Sequence, residues 1–481
     1  MNNQWLKGFW YVVGEASEVT AETQPVRKKI LGQNLALFLD KDGKYSAVND
    51  ICPHMGAQLS LGKVKDGCLV CPYHHFAYNS KGGCESVPAI IAPKTIPATL
   101  MVDSYPVVNK YGMLWVYLGD EPEDKRPPIV DIPEFNDPEF RPLYSKYTWD
   151  CSLRPLLENL IDFTHFSYLH GNSFGNAEHP FRDNYEVERS EYEVSCRVKV
   201  KFNESIPVFP PTPELGTNPD IDSHLRFHMP TVVVNAFSVG PYKDVTLFHF
   251  TPIDENTVVF GMMGVRNFQK TETADERLKD LGNSILEEDR VVLASCTPEV
   301  LPAQSMVAVD KYLLACRKMY DRFLQNGHAI DRHIFPTARG SRVAVLPSPV
   351  RTENPVFARR WAQKEERTHG VKAGCASVCC GDDEGSEHGH DHEHTAAKSS
   401  GAGVVTAVSS AVPSVPPAPD ALLVTAPDTS LTPIAAAEAS SPAPARDSAA
   451  SAPPLKPEAT KASGVDALSS TITSTPGTKE E

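Results

Sequence analysis

Long apolar runs are missing from this 481-residue sequence. No stretch of about 18 apolar residues occurs, so no transmembrane helix is expected. Met1 leads into Trp5-Leu6-Lys7-Gly8-Phe9 with no basic n-region, no long apolar h-region and no small-residue cleavage site, so nothing points to export. The expectation is a cytoplasmic location, with organelle import left open if a further segment precedes Met1. Basic surplus is missing too: the formal net charge is −15 and no basic stripe offsets it, which argues against a generic nucleic-acid binder. No G-x-G-x-x-G dinucleotide fingerprint and no internal repeat occur. Phe, Tyr and Trp stop at Trp361, and from Gly374 onward Ala, Ser, Pro and Thr dominate. Such a stretch buries too little apolar surface to offset its ordering entropy, so residues 374–481 are expected to be disordered.

Cysteine is not scarce. Eleven cysteines in a chain with no secretory signal read as thiols and metal ligands rather than as a disulfide framework. Over residues 5–120, short apolar runs such as Leu35–Leu39 and Met113–Leu118 alternate with turn signals such as Asp42-Gly43, the pattern of a small all-β domain. Residues 121–148 begin with a Pro- and acid-rich stretch and read as a linker. Residues 149–345 mix periods. Helices are expected at Leu153–His170, Ala274–Cys296 and Val309–Asn326, and strands at Glu191–Phe202, Val232–Val239, Val245–Phe250 and Thr257–Val265. Strands grouped between helices give an α+β class, with helices packed on an antiparallel sheet. Residues 346–373 read as a connecting segment.

Cys52-Pro53-His54 and Cys71-Pro72-Tyr73-His74 form C-x-H-x16-C-x2-H, so each of two proline-flanked loops supplies one thiol and one imidazole. In a [2Fe–2S] cluster two thiolates can hold one iron and two neutral imidazoles the other, which raises the potential above that of an all-cysteine cluster. The alternative is a Cys2His2 zinc site, although zinc fingers usually pair Cys with Cys and His with His. Cys68 and Cys84 flank the second loop and are expected to be ordinary buried thiols.

A second constellation, Asn159, Asp162, His165 and His170, has the form N-x2-D-x2-H-x4-H. Two histidines five apart stand about 140° apart on a regular helix, so they can share one metal only if the helix ends or distorts between them. Gly171 is a candidate terminator. Asp162 lies one turn before His165 and can reach its imidazole from outside the ligand set. Two histidines and a carboxylate form the facial triad of iron(II) oxygenases, and the helix carrying Glu287, Glu288 and Asp289 offers the acid. Asp289 falls into the apolar stripe of Leu278, Leu281, Ile285 and Val292, where an acid is costly unless paired or metal-bound; Glu288 is the fallback. Taken alone, the two histidines read equally as core residues.

These residues resemble the Rieske family, and its oxygenase type rather than the respiratory type, which has a further cysteine in each loop at positions matching Ala57 and Tyr73. The family commonly continues its second loop with Gly-Trp, where this chain has His75-Phe76; ligation stays with His74. The order of cluster loops, helical histidines and Glu288-Asp289-Arg290 is that of Rieske oxygenases over roughly residues 5 to 345. The turn Thr251-Pro252-Ile253-Asp254-Glu255 and the helix Ile285–Asp289 are similar to those of aromatic O-demethylases and saxitoxin-pathway oxygenases.

The resemblance implies a [2Fe–2S] cluster on Cys52, His54, Cys71 and His74, and a mononuclear Fe(II) on His165, His170 and Asp289. It also implies a homotrimeric ring in which His74 of one subunit meets Asp162 of the next. Electrons would come from a partner reductase or ferredoxin, and O2 would serve to hydroxylate or demethylate an apolar, aromatic or polycyclic small molecule. Rival readings are a ring cis-dihydroxylating enzyme, a chlorophyll-pathway oxygenase, and an electron-transfer or metal-binding protein without catalysis. Phe237, Phe248 and Phe250 supply apolar surface to a pocket or simply to the core. Cys375, Cys379 and Cys380, followed by His388, His390, His392 and His394, form a tract that can bind metals or merely be solvated.

Overall fold

The apolar runs of the first hundred or so residues fold as eleven short strands: β1 (Phe9–Glu15), β2 (Val26–Ile30), β3 (Gln33–Leu39), β4 (Tyr45–Asn49), β5 (Lys63–Lys65), β6 (Cys68–Val70), β7 (Ala77–Tyr78), β8 (Cys84–Ser86), β9 (Ser104–Tyr105), β10 (Val107–Lys110) and β11 (Met113–Leu118). They form three antiparallel sheets, ordered β1-β11-β10, β2-β3-β4-β9 and β5-β6-β7-β8. The turn between β3 and β4 closes because Asp40 Oδ1 accepts from the N–H groups of Asp42 and Lys44, while Gly43 takes φ +72°. The structure, a computed structural model, describes residues 5–369 except 92–94, 204–207, 211–215, 217–218, 298–300, 302, 331–334, 337–341 and 344. The sequence-expected tail, with Cys375, Cys379, Cys380 and its histidines, lies outside the described residues.

The second domain is a seven-stranded antiparallel sheet. Its strands are β12 (Arg141–Trp149), β13 (Val187–Arg189), β14 (Glu193–Val200), β15 (Ile221–His228), β16 (Val232–Val239), β17 (Tyr242–Asp254) and β18 (Thr257–Arg266), in the order β12-β18-β17-β16-β15-β14-β13. The β-branched run Val232-Val233-Val234 suits a strand buried on both faces, and all three residues are buried. Phe250 and Phe248 are core residues, and Phe237 packs against the same core. Helices α1 (Leu153–Ile161), α2 (Phe166–Leu169), α3 (Glu272–Ser295) and α4 (Lys311–Phe323) complete the α+β domain.

The helix expected over Leu153–His170 is broken. Leu153, Leu156, Leu157, Leu160 and Ile161 bury one face of α1, but Asp162 then turns extended because its Oδ1 accepts from Thr164 N–H at 2.8 Å and Thr164 Oγ1 at 2.6 Å. α3 starts where the Thr271 hydroxyl caps Ala274 N–H and Glu272 and Asp275 sit in the first turn. Its apolar stripe is not the expected one. Val292 is 42% exposed, and only Leu286 and Asp289 are fully buried.

The two domains share one core cluster, in which Leu6, Phe9, Leu114 and Val116 join Phe250, Val258 and Phe260. Backbone bonds from Leu31 N–H to Pro252 O and from Gly32 N–H to Ile253 O fasten the seam. The stretch read as a linker is packed as well: Val130 and Ile132 are buried against β16, β17 and β18. Residues read as a connecting segment include α5 (Pro349–Glu353) and α6 (Pro355–His369), which return to the first domain. Ser348 Oγ and Arg351 Nε bond Asp103 there at 2.8 and 2.7 Å.

Candidate metal centres

Cys52 and His54 sit in the loop between β4 and β5, and Cys71 and His74 in the tight turn between β6 and β7. The two loops repeat one backbone design. Cys52 N–H bonds Ala57 O and Gly56 N–H bonds Cys52 O; likewise Cys71 N–H bonds Phe76 O and His75 N–H bonds Cys71 O. The fifth residue of each turn is left-handed, Gly56 at φ +76° and His75 at φ +59°. His75 thus occupies a conformation that favours glycine.

Both thiols are buried, whereas both imidazoles are exposed with ring centroids 4.6 Å apart. His54 stacks on Phe76 at 4.5 Å, and Tyr73 lies 3.9 Å from His74. Tyr78, fully buried, places its hydroxyl 3.3 Å from Cys52 Sγ. Burial pushes the Cys52 thiol above its ordinary value, so a cationic centre is needed to hold it as a thiolate. That donor set fits a [2Fe–2S] cluster. Cys68 and Cys84 are half-buried, not buried as expected: each is the first residue of its strand, Cys68 close after exposed Asp66 and Cys84 before exposed Glu85 and Ser86.

The second constellation forms around the broken helix. His165 and His170 bracket the single turn of α2 as its first and last flanking residues, bringing their ring centroids to 5.2 Å. Asp289, on α3, places Oδ1 3.4 Å from His165 Nε2 and 3.6 Å from His170 Nε2. One ligand atom from each residue lies within 4.8 Å of the other two. The loop after His170 folds back so that Gly175 N–H bonds the His170 carbonyl, and a Cβ on Gly175 would stand 2.2 Å from Phe166 O.

Each of the three has an outer partner. Asp162 Oδ2 is 3.2 Å from His165 Nδ1, Glu288 Oε2 is 2.7 Å from His170 Nδ1, and Asn159 Nδ2 donates to Asp289 Oδ1 at 3.0 Å. Glu288 also accepts from Ser173 Oγ at 3.0 Å. The fallback acid therefore faces away from the three-residue cluster and buttresses a histidine. The roles of Glu288, Ser173 and Gly175 had no local signal in the sequence. Burial disfavours charge on His165, but Asp162 and Asp289 outweigh it and raise its pKa to about 9. Burial lowers His170, and His165 and Thr164 hold the buried Asp162 ionised against the same penalty. Two imidazoles braced from behind by carboxylates, with a carboxylate whose inward oxygen Asn159 holds, fit a divalent metal with open positions.

Residues 9–106 match the Rieske [2Fe-2S] domain and residues 149–326 the vanillate O-demethylase oxygenase C-terminal domain. The vanillate O-demethylase oxygenase subunit of Pseudomonas sp. (strain HR199 / DSM 7063) is 34% identical over 173 residues, 36% of this chain and 47% of that protein. Against that relative the chain spans about half the length. Methylxanthine N1-demethylase NdmA of Pseudomonas putida is 28% identical over 352 residues, 70% of this chain and 93% of that protein. The solved structure of NdmB from Pseudomonas putida CBB5 aligns with a TM-score of 0.55 at 25% identity, covering 66% of this chain and 91% of that one. The mixed Cys–His loops are thus part of an iron–sulfur domain and not a zinc finger. Because both halves match, in the order in which the two constellations follow one another, this chain belongs to the Rieske oxygenases.

Proposed function

We propose that this protein is a terminal oxygenase that hydroxylates or oxidatively demethylates an apolar, aromatic or polycyclic small molecule. The convergence of His165, His170 and Asp289 within 4.8 Å carries the reading. Cys52, His54, Cys71 and His74 would hold the cluster, and those three the mononuclear iron. When bound, the cluster supplies single electrons and the iron supplies O2 activation. A reductase or ferredoxin is the electron source, since no dinucleotide fingerprint occurs in the chain. Relatives named for demethylation of vanillate, methylxanthine and dicamba support demethylation over ring dihydroxylation.

In this reading the chain's own residues position and poise. Asp162, kept ionised by His165 and Thr164, accepts the His165 Nδ1 proton and leaves Nε2 to the metal. Glu288 does the same for His170.

A head-to-tail homotrimer belongs to the same proposal. Met55 and Tyr73 are 64% and 61% exposed beside His54 and His74, and Tyr168 and Val291 are 64% and 60% exposed beside the second site. Two unlike apolar patches on one chain suit a heterologous interface that closes as a ring. It would bring His74 to Asp162 of the partner subunit. Among the described residues no helix is long and apolar enough to cross a membrane.

The test is substrate-stimulated O2 uptake with a surrogate reductase over methoxylated aromatics, polycyclic alkaloids and tetrapyrroles, with product masses measured. An electron carrier would hold cluster iron alone and show no stimulated uptake.

A further inference from the structure

A cavity of about 730 Å3 opens on the large sheet across β14, β15, β16 and β17, and no residue of either metal centre lines it. Its lining is basic, in a chain whose net charge is −15. Arg182, Arg197, Lys199 and Lys243 contribute four cations against the single carboxylate of Asp222. Lys199 pairs with Asp222 at 3.1 Å, and Lys243 pairs with Glu134 outside the cavity. Among the described residues Arg182 and Arg197 make no ion pair. Arg197 lies on β14 and Arg182 on the segment before β13, so an anion in the cavity would meet guanidinium charge that no ion pair offsets.

A further polar side chain lines it. His224 is pushed down to about 4 by burial, Arg197 and Arg226, so near neutral pH it is an uncharged ring offering one N–H. Ala236 and Ser238 are the small residues of the lining, and the volume falls within the range of small-molecule sites.

We propose that this cavity is a second small-molecule site, separate from the mononuclear metal site, that binds an oxyanion, a carboxylate or phosphate, on Arg182 and Arg197. Planar guanidinium groups match such oxyanions with paired N–H donors. The occupant would lie close to the catalytic helix. Phe181 lines the cavity, packs on Phe163 at 4.9 Å and donates its N–H to Ser167 Oγ of α2 at 3.3 Å.

The experiment is calorimetric titration of the iron-loaded full chain with benzoate, inorganic phosphate and neutral benzamide, repeated on Arg182→Gln/Arg197→Gln. Both side chains are on exposed residues, and the cluster absorption and thermal midpoint of the double variant show whether it is folded. At least one anion is expected to bind the wild type and to lose about tenfold or more in affinity in the double variant, with benzamide weaker than benzoate. Binding of phosphate but not benzoate identifies an inorganic occupant, and the reverse an organic acid; either supports the site. Undiminished anion binding in the double variant, benzamide as tight as benzoate, or no anion binding at tens of millimolar overturns it. Iron content and O2 uptake of the same variant report separately on the oxygenase reading, which does not depend on this site.

Discussion

Glu288 Oε2 lies 2.7 Å from His170 Nδ1, so the acid beside Asp289 in sequence points to the back of the histidine whose Nε2 is 3.6 Å from Asp289 Oδ1. An outer carboxylate fixes the tautomer and raises the donor strength of the ring. Glu288→Gln is expected to weaken ferrous binding at the mononuclear site by roughly 10–100-fold while the cluster stays intact. Ferrous titration followed by cluster absorption checks it. Unchanged affinity would show that Ser173 and the loop through Gly175 hold the ring unaided.

Asp162 combines two tasks: its Oδ1 breaks the helix and its Oδ2 meets His165. Asp162→Asn keeps an acceptor for Thr164 but loses the charge beside His165. Both metals should remain bound, while cluster re-oxidation in a single turnover slows by roughly 10–100-fold. A normal rate would remove Asp162 from the electron path proposed between subunits.

The same contact makes stability depend on pH when the mononuclear site is stripped of metal. His165 has a pKa of about 9 in the folded chain, raised from an ordinary 6.5, so the proton it binds stabilises the fold fully below pH 6.5. That contribution is lost as pH rises through 9 and amounts to about 3 kcal/mol at most. His170 is shifted the other way and acts below pH 6.5, outside this window. Denaturant unfolding of the metal-stripped protein should therefore weaken steadily from pH 6.5 to 9. Loading Fe(II) flattens the curve, because a ligating imidazole has already given up its proton. A flat curve without metal would contradict the raised pKa.

Much of both centres could be read locally, because short spacings within a loop or one helical turn survive folding unchanged. Asp289 was legible as an acid in an apolar stripe, although Val292, used to draw that stripe, is 42% exposed. The break at Asp162 was not, since Leu-Ile-Asp-Phe-Thr-His carries an uninterrupted helical pattern and a side-chain bond to Thr164 decides against it. β15 was missed for a different reason. Outward Asp222, His224 and Arg226 alternate with inward Ile221, Ser223, Leu225 and Phe227, but the polar Ser223 breaks the apolar face, and pairing on both sides secures the strand. Glu288 acquires its partner only when α3 packs beside α2, which no local pattern encodes.

The repeated turn design of the cluster loops gives the final expectation. Gly56 and His75 hold equivalent left-handed positions, and only the second carries a Cβ. Left-handed geometry costs a non-glycine residue about 1–2 kcal/mol, whereas glycine costs about 0.4–1 kcal/mol through the freedom it adds to the unfolded chain. The first effect is the larger at an exposed side chain with little packing to lose. His75→Gly should therefore stabilise the first domain by several tenths to about 1 kcal/mol, with cluster absorption unchanged. His75→Ala keeps the Cβ and should give no such gain. Thermal unfolding of the two variants separates backbone relief from loss of the imidazole: equal midpoints, or a glycine variant less stable than wild type, would mean that the His75 ring itself supports the cluster loop.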